Sequence, residues 1–352
     1  MIESQDKNSQ PIAGMNLQLA LDLVLQYGWN ATSYQILNPG IEHWFSERGD
    51  AVIGYVRHYG VRVVAGAPVC PTDRLAAVVA EFEAAGRRSA VCYFGAEERM
   101  AEALAVHAPR ARIVLGAQPA WNPMDWPGML AGHPSLRAQL NRARNKGVGI
   151  EEWDNDRATI HPELQRCLQE WLRTRGLPPL HFLVEPQTLA RLFNRMVIVA
   201  LIEDRPVGFL VASPIPLRDG WLIEQLVRGA EAPNGTAELL IDAAVNDMAA
   251  RGSTHVTLGL SPISRQAGLE KESNPFLLRH LLSFVRAYGR RFYNFEGLDN
   301  FKAKFRSPEW ETVYAISNER RMSMRTLYAT AAAFAGENPL LTLLRAAIQK
   351  KE

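Results

Sequence analysis

The stretch from residue 196 to residue 260 restricts the fold more than any other. "MVIVALIEDRPVGFLVASPI" and "GWLIEQLVR" read as three apolar strands joined by tight turns at "EDRP" and "LRDG". A short turn, "GAEAPNGT", follows, then the helix "TAELLIDAAVNDMAARG" and the strand "HVTLGL". In that helix Leu240, Ile241, Ala244, Val245 and Met248 recur at helical spacing and give one apolar face. Such a face must pack on the sheet that the strands form.

The rest of the chain alternates in the same way. A helix over about Met15 to Tyr27 and "SYQIL" precede two strands in "AVIGYVRHYGVRVVAGAPV", with Gly60 as their hairpin turn. Then come helix "DRLAAVVAEFEAAG", ended by Gly86, buried strand "SAVCYFG", helix "EERMAEALAVHA" and strand "RIVLG". "AQPAWNPMDWPGMLAGHPS" is rich in Pro, Gly and Trp and reads as a boundary or crossover. Beyond it lie a basic helix "SLRAQLNRARNKG", strand "VGIEEW" and helix "PELQRCLQEWLRTRG". After residue 260 come a helix at about Pro275 to Tyr288, "FEGLDNFKAKF" and a last strand "TVYAIS". The fold class is α/β with mixed sheets. At 352 residues the chain exceeds one ordinary domain. The order of three strands, turn, helix and strand is that of the GNAT acyltransferase core, and the first half runs similarly. The expected organisation is a polar N-terminus (1–14), two GNAT-like units (15–130 and 131–317) and an amphipathic tail (318–352).

Bulk properties remove several classes. A net charge of +2 gives no ground for a nucleic-acid partner, so any basic surface must be local. Cys70, Cys92 and Cys167 are far apart, which argues against a disulfide framework or zinc site and for a reducing cytosol. The first residues lack a signal peptide, and no run of about 18 apolar residues is present. A soluble cytoplasmic protein is expected. The eight histidines show no metal spacing, His255 opens a buried strand, and His181 in "LPPLHF" could be structural or functional. No G-x-S-x-G elbow is present, so covalent nucleophilic catalysis is not expected.

The turn before the long helix is the first candidate site. In GNAT folds this loop carries an Arg or Gln, then a glycine three on and Gly or Ala two further, and its N–H groups cradle the pyrophosphate of coenzyme A. Here "APNGT" has one glycine. Pro233 has no N–H to give, although Asn234, Gly235 and Thr236 do. Read without a ligand, the turn is a helix start capped by Asn234 or Thr236. "RNKGVG" at 144–149 fits the glycine pattern literally but lies between a helix and a strand, the reverse of the required context. Glu238 sits in the first turn, with Asp242 one turn on along the same face. Either the helix dipole favours that carboxylate, or it grips a substrate ammonium or acts as a base. Glu224 and Arg228 stand at i and i+4 on the preceding strand, hence on one face, as an ion pair or a site. Lys302 and Lys304 flank Phe301 and Phe305, and Arg137, Arg142, Arg144 and Lys146 share a helix without acids. Both groups suit phosphate contacts, and both suit a solvated face.

Taken together, "EQLVRGAEAPNGTAELLID", "THVTLGLSPIS" and "FYNFEGLDNFKAKFRSPEWETVY" resemble the soluble C-terminal domain of bacterial phosphatidylglycerol lysyltransferases. "SLRAQLNRARNKGVGIEEW" and "VVAGAPV" match earlier segments, so the resemblance runs from about Met15 to Ser317. It implies a tandem GNAT pair that moves an aminoacyl group from aminoacyl-tRNA to a lipid or other hydroxyl or amine. It also implies no coenzyme A or other cofactor, with aminoacyl-tRNA as co-substrate. Arg228, Glu238, Lys302 and Lys304 fall on the family's arginine, acid and two lysines. The family's aspartate falls on Gln225, a departure that bears on the general base and on amino-acid selectivity. The membrane-spanning part typical of the family is absent from this sequence. The resemblance implies direct attack of the acceptor on the ester, with Glu224 or Glu238 holding the α-ammonium or taking a proton. Arg228, Lys302 and Lys304 would meet phosphate or oxyanion charge. Gln225, Asn234, Gly235, Thr236 and Asp242 would line the substrate, and the basic helix would meet tRNA.

Two other readings stand beside this one. The first is an acyl-CoA-dependent N-acyltransferase, and the second is a non-catalytic tRNA- or lipid-binding module. The tail mixes Arg320, Arg321 and Arg325 with apolar runs, which suits a helix resting on anionic lipid or one docked on the protein or a second subunit.

Overall fold

A computed structural model describes residues 9–86, 89–105, 109–174, 182–262, 264 and 295–336. The first half contains α1 (Ser9–Tyr27), β1 (Glu42–Phe45), β2 (Val52–His58), β3 (Val61–Ala65), α2 (Leu75–Ala85), β4 (Ala90–Glu97), α3 (Glu98–Ala105) and β5 (Ala111–Trp121). Next come α4 (Trp126–Ala131), α5 (Pro134–Arg144), β6 (Gly149–Trp153), α6 (Asn155–Ile160), α7 (Pro162–Arg173), β7 (Met196–Ile202), β8 (Arg205–Ile215) and β9 (Gly220–Arg228). The chain continues through α8 (Thr236–Ala250), β10 (His255–Thr257), β11 (Ser261–Pro262), α9 (Phe295–Ala303), β12 (Glu309–Ser317) and α10 (Met324–Ala335). The helix expected at about Pro275 to Tyr288, and His181, lie outside the described residues.

All the described strands join one mixed sheet in the order β1-β2-β3-β4-β12-β5-β10-β9-β8-β7-β6, with β11 paired to β5. The second half shows the three-strand, helix, strand order of a GNAT core, and the fold is a tandem GNAT-like α/β arrangement. The hairpin between β7 and β8 turns through Glu203 and Asp204, both at positive φ, whose backbone twist suits a two-residue turn. The segment read as a crossover begins inside a strand, because β5 continues through "AQPAW" to Trp121. The reason is distant in sequence: β12 lies between β4 and β5, antiparallel to both, and bonds β5 from Ala111 to Ala120. The end of β5 also pairs with β10. One strand therefore belongs to both halves.

Helix α8 packs its apolar face on this sheet as its periodicity predicts. Leu240, Ile241, Ala244, Val245 and Met248 share a core with Leu210 and Ala212 of β8, Ile223 of β9, and Leu136, Leu140 and Ala143 of α5. Leu240 is fully buried, worth roughly 2 kcal/mol of transfer free energy. Strands β9 and β10 run parallel for three pairs, Gly220 to Leu222 against His255 to Thr257. Beyond those pairs they are no longer bonded.

Helix α10, in the tail, docks on the protein. Ser323 caps it by accepting from the Thr326 N–H, and Leu327, Ala329, Ala332 and Ala333 are buried. Phe334 meets Phe94 and Phe182 edge to face. The apolar face offered to a membrane in the first reading is thus spent on the protein over these residues. Arg320, Arg321 and Arg325 remain exposed, and 337–352 lie outside the described residues.

Candidate functional site

The site grows from the start of α8. Gly235 is its first flanking residue, at φ 99°, and no side chain caps the helix. Asn234 is exposed, and Thr236 turns its hydroxyl back to donate to the Pro233 carbonyl at 2.8 Å. The expected cap by Asn234 or Thr236 does not form, because the left-handed glycine redirects the backbone. Only glycine fits there: a Cβ on Gly235 would lie 2.1 Å from the Gln139 carbonyl oxygen of α5. The two helices approach backbone to backbone at this point.

From that start, the α8 face carrying Glu238 and Asp242 turns inward, and both carboxylates are buried. Lys304 of the α9–β12 connection donates to Glu238 at 3.1 Å. Asp242 accepts from the Trp126 indole and from Arg144, each at 3.0 Å. Trp126 in turn stacks on Phe305, 5.9 Å between ring centroids. Lys302 is buried and donates to the Gly259 and Leu260 carbonyls at 2.8 and 2.9 Å, just beyond β10. Burial pulls its ammonium down to about 7, with Asp299 opposing the shift. Arg228 is exposed and donates to the Ala232 carbonyl at the turn. Four of the singled-out residues are thus gathered around one helix start, Arg228, Glu238, Asp242 and Lys304, while Lys302 is held at the Gly259 and Leu260 carbonyls.

Glu224 does not join them, which corrects the expectation that it shares a face with Arg228. The β8–β9 register runs Val211 to Gln225 and Ala212 to Ile223, so Glu224 is the extra residue of a bulge. Before the bulge Trp221 and Ile223 pack toward α8, and after it Leu226 does. Val227 packs on the opposite side with Phe209 and Leu189. Glu224 faces that opposite side, where Arg195 forms an ion pair with it and Gln35 donates to it at 2.7 Å. Burial raises the neighbouring Tyr34 hydroxyl to about 12. Gln225 points the same way, bonded to the Thr188 hydroxyl and the Pro186 carbonyl.

The basic helix is divided. Arg142 and Lys146 are exposed, and Arg144 reaches Asp242. Arg137 folds back onto the Leu130 and Ala131 carbonyls at the end of α4, away from the outward role expected of it.

A second polar cluster lies at the seam of the two halves. Buried Glu97, ending β4, accepts from the Ala31 N–H at 2.6 Å, Gln118 at 3.1 Å and Arg218 at 3.3 Å. Arg218 also pairs with Glu311. Burial raises Glu97 to about 7, and burial with nearby Arg218 lowers His255 to about 4. A cavity of about 430 Å³ borders this cluster, lined in part by Trp29, Trp121, Arg218 and His255. The sequence offers a single hint of it, an acid at the end of a buried strand.

Among the described residues no group of His, Cys, Asp and Glu is arranged to hold a metal, and no helix is long and apolar enough to cross a membrane. The cysteine thiols are buried and raised well above their usual range by desolvation, unlike an activated nucleophile.

Residues 22–317 match the family described as phosphatidylglycerol lysyltransferase, C-terminal. No curated protein sequence matches the chain. The fold is similar to the C-terminal domain of a lysylphosphatidylglycerol synthetase from Agrobacterium fabrum, with a TM-score of 0.77 at 21% identity, over 92% of this chain and 98% of that one. It is also similar to L-PGS from Bacillus licheniformis, with a TM-score of 0.73 at 19% identity, over 95% and 97% of the two chains. FemX aligns with a TM-score of 0.54 at 8% identity, over 85% and 95%.

Proposed function

The chain belongs to the phosphatidylglycerol lysyltransferase C-terminal family, and from that premise we propose that this transferase moves an aminoacyl group from aminoacyl-tRNA to a lipid of the phosphatidylglycerol kind, or to another hydroxyl or amine. The observation that carries the reading is the convergence of Glu238, Lys304 and Arg228 on one helix start.

The acceptor oxygen or nitrogen attacks the ester carbonyl carbon, and the bond to the terminal ribose oxygen of the tRNA breaks. The proton lost by the acceptor passes to that leaving oxygen. Glu238 holds the α-ammonium in place of Lys304, or takes the acceptor proton. Lys302, whose ammonium gives up its proton more readily because it is buried, returns a proton to the leaving oxygen. Arg228 and Lys304 meet phosphate or the developing oxyanion. The close approach of α5 to Gly235 supports a turn that positions Glu238 rather than one that cradles coenzyme A. Exposed Arg142 and Lys146 suit contact with tRNA phosphate. The test mixes purified protein, charged tRNA and phosphatidylglycerol vesicles, and follows ester loss and aminoacyl-lipid by mass spectrometry. Esters that stay intact beyond the spontaneous rate would sink the proposal.

A further inference from the structure

The cavity at the seam is a space that the transfer chemistry does not use. Two residues of its wall, Arg218 and His255, stand just before β9 and at the start of β10. The helix start gathers at the other end of β9, which runs from Gly220 to Arg228, so roughly 25 Å of strand separates the two places. At about 430 Å³ the cavity has the size of a small-molecule site.

The groups on its wall favour one sign of charge. Asp125 and Glu309 line it, both exposed, and neither has an ion pair among the described residues. Arg218 has nothing left for an incoming anion. One of its terminal nitrogens reaches Glu97 at 3.3 Å and Glu311 at 3.0 Å, and the other also bonds Glu311. Its charge is balanced inside the protein, so the two rim carboxylates set the sign of the field in the cavity.

His255 points to the same ligand independently. It lines the cavity, is only 8% exposed, and its Nε2 has no hydrogen-bond partner among the described residues. Burial and the nearby Arg218 lower it to about 4, so the ring is neutral and keeps a lone pair to offer. A buried polar atom without a partner is costly, and a donor placed in the cavity would relieve that cost. Trp29 and Trp121 add aromatic surface to the wall. The Trp29 ring already draws the guanidiniums of Arg99 and Arg218, at 4.8 and 5.6 Å from its centroid. An anion here would meet two carboxylates and a spent arginine, whereas a cation meets two carboxylates, an acceptor and indole.

We infer that this cavity binds a small organic cation, a primary ammonium on an apolar or aromatic body, held by Asp125, Glu309 and His255. The inference does not depend on the aminoacyl-transfer reading, because the two sites lie at opposite ends of β9.

The experiment titrates the full chain by calorimetry with 2-phenylethylammonium and with two probes of similar shape, neutral 2-phenylethanol and anionic phenylacetate. The ammonium should bind at least roughly tenfold tighter than either. Asp125→Asn combined with Glu309→Gln alters only exposed side chains and should weaken the ammonium at least roughly fivefold, leaving 2-phenylethanol unchanged. That pair of results supports the inference. An ammonium that binds no better than the alcohol overturns it, as does phenylacetate binding tightest. Ammonium binding that survives the double substitution places the cation elsewhere and also overturns it. Binding of none of the three refutes the site, and the aminoacyl-transfer reading stands or falls by its own assay.

Discussion

Glu97→Gln should change how stability depends on pH, and the structure gives both sign and size. Glu97 is buried between the halves, and desolvation outweighs the pull of Arg218 to raise it from 4.5 to about 7. A group with a raised folded-state value contributes stability that is fully present below its unfolded value and is lost as pH rises through the folded one. A shift of 2.5 units corresponds to about 3 kcal/mol in all, of which about 2 kcal/mol falls between pH 5 and pH 7.5. His255 acts in the opposite sense. Lowered from 6.5 to about 4, it contributes stability present above pH 6.5 and lost as pH falls toward 4. The two nearly offset in the wild type over the shared window, so wild-type data alone would look flat. Glu97→Gln keeps an acceptor for the Ala31 N–H, leaves Arg218 its Glu311 partner, and removes only the titration. The variant should therefore gain about 2 kcal/mol on the wild type from pH 5 to pH 7.5. Urea unfolding of both proteins at several pH values, followed by tryptophan fluorescence, reads this difference; Trp29 and Trp121 border the cluster. A difference that stays constant, or shrinks as pH rises, would mean that Arg218 keeps Glu97 ionised throughout, and the reasoning fails.

Three further substitutions test the site and its supports. Lys304→Met removes the cation beside Glu238 and should slow ester consumption on the order of 100-fold, while a loss under about threefold would remove Lys304 from the chemistry. Gly235→Ala forces a Cβ against the Gln139 carbonyl at positive φ and should cost about 3 kcal/mol or more in denaturant unfolding. A cost below about 1 kcal/mol would mean that α5 and α8 separate easily. Ala329→Asp buries an unpaired charge where α10 meets the sheet. It should lower stability by about 3 kcal/mol or more, and a neutral result would show that α10 is not docked in solution.

What could be read from the chain divides by the range of the interaction. Glu238 and Asp242 lie on one inward face because helical spacing is local and survives any tertiary context. The hairpin turns at Gly60 and at Glu203–Asp204 were legible for the same reason. The bulge at Glu224 was not, since it exists only against β8, and one inserted residue sends Glu224 and Arg228 to opposite faces. The end of β5 hid inside a Pro- and Trp-rich segment because the pairing that makes it a strand comes from β12, nearly 200 positions later. Glu97, Arg218, His255 and Glu311 meet only after that strand is inserted, and no local pattern marks them. The acid at 97 and the acids at 238 and 242 thus differ in kind. The latter are placed by a helix and gathered by a motif that also carries Arg228 and the two lysines. Glu97 is placed by the joining of the two halves, and its proton affinity reports whether that joint is closed. Opening the seam would return Glu97 and His255 to water, where each titrates normally, so the offset between them exists only in the assembled sheet.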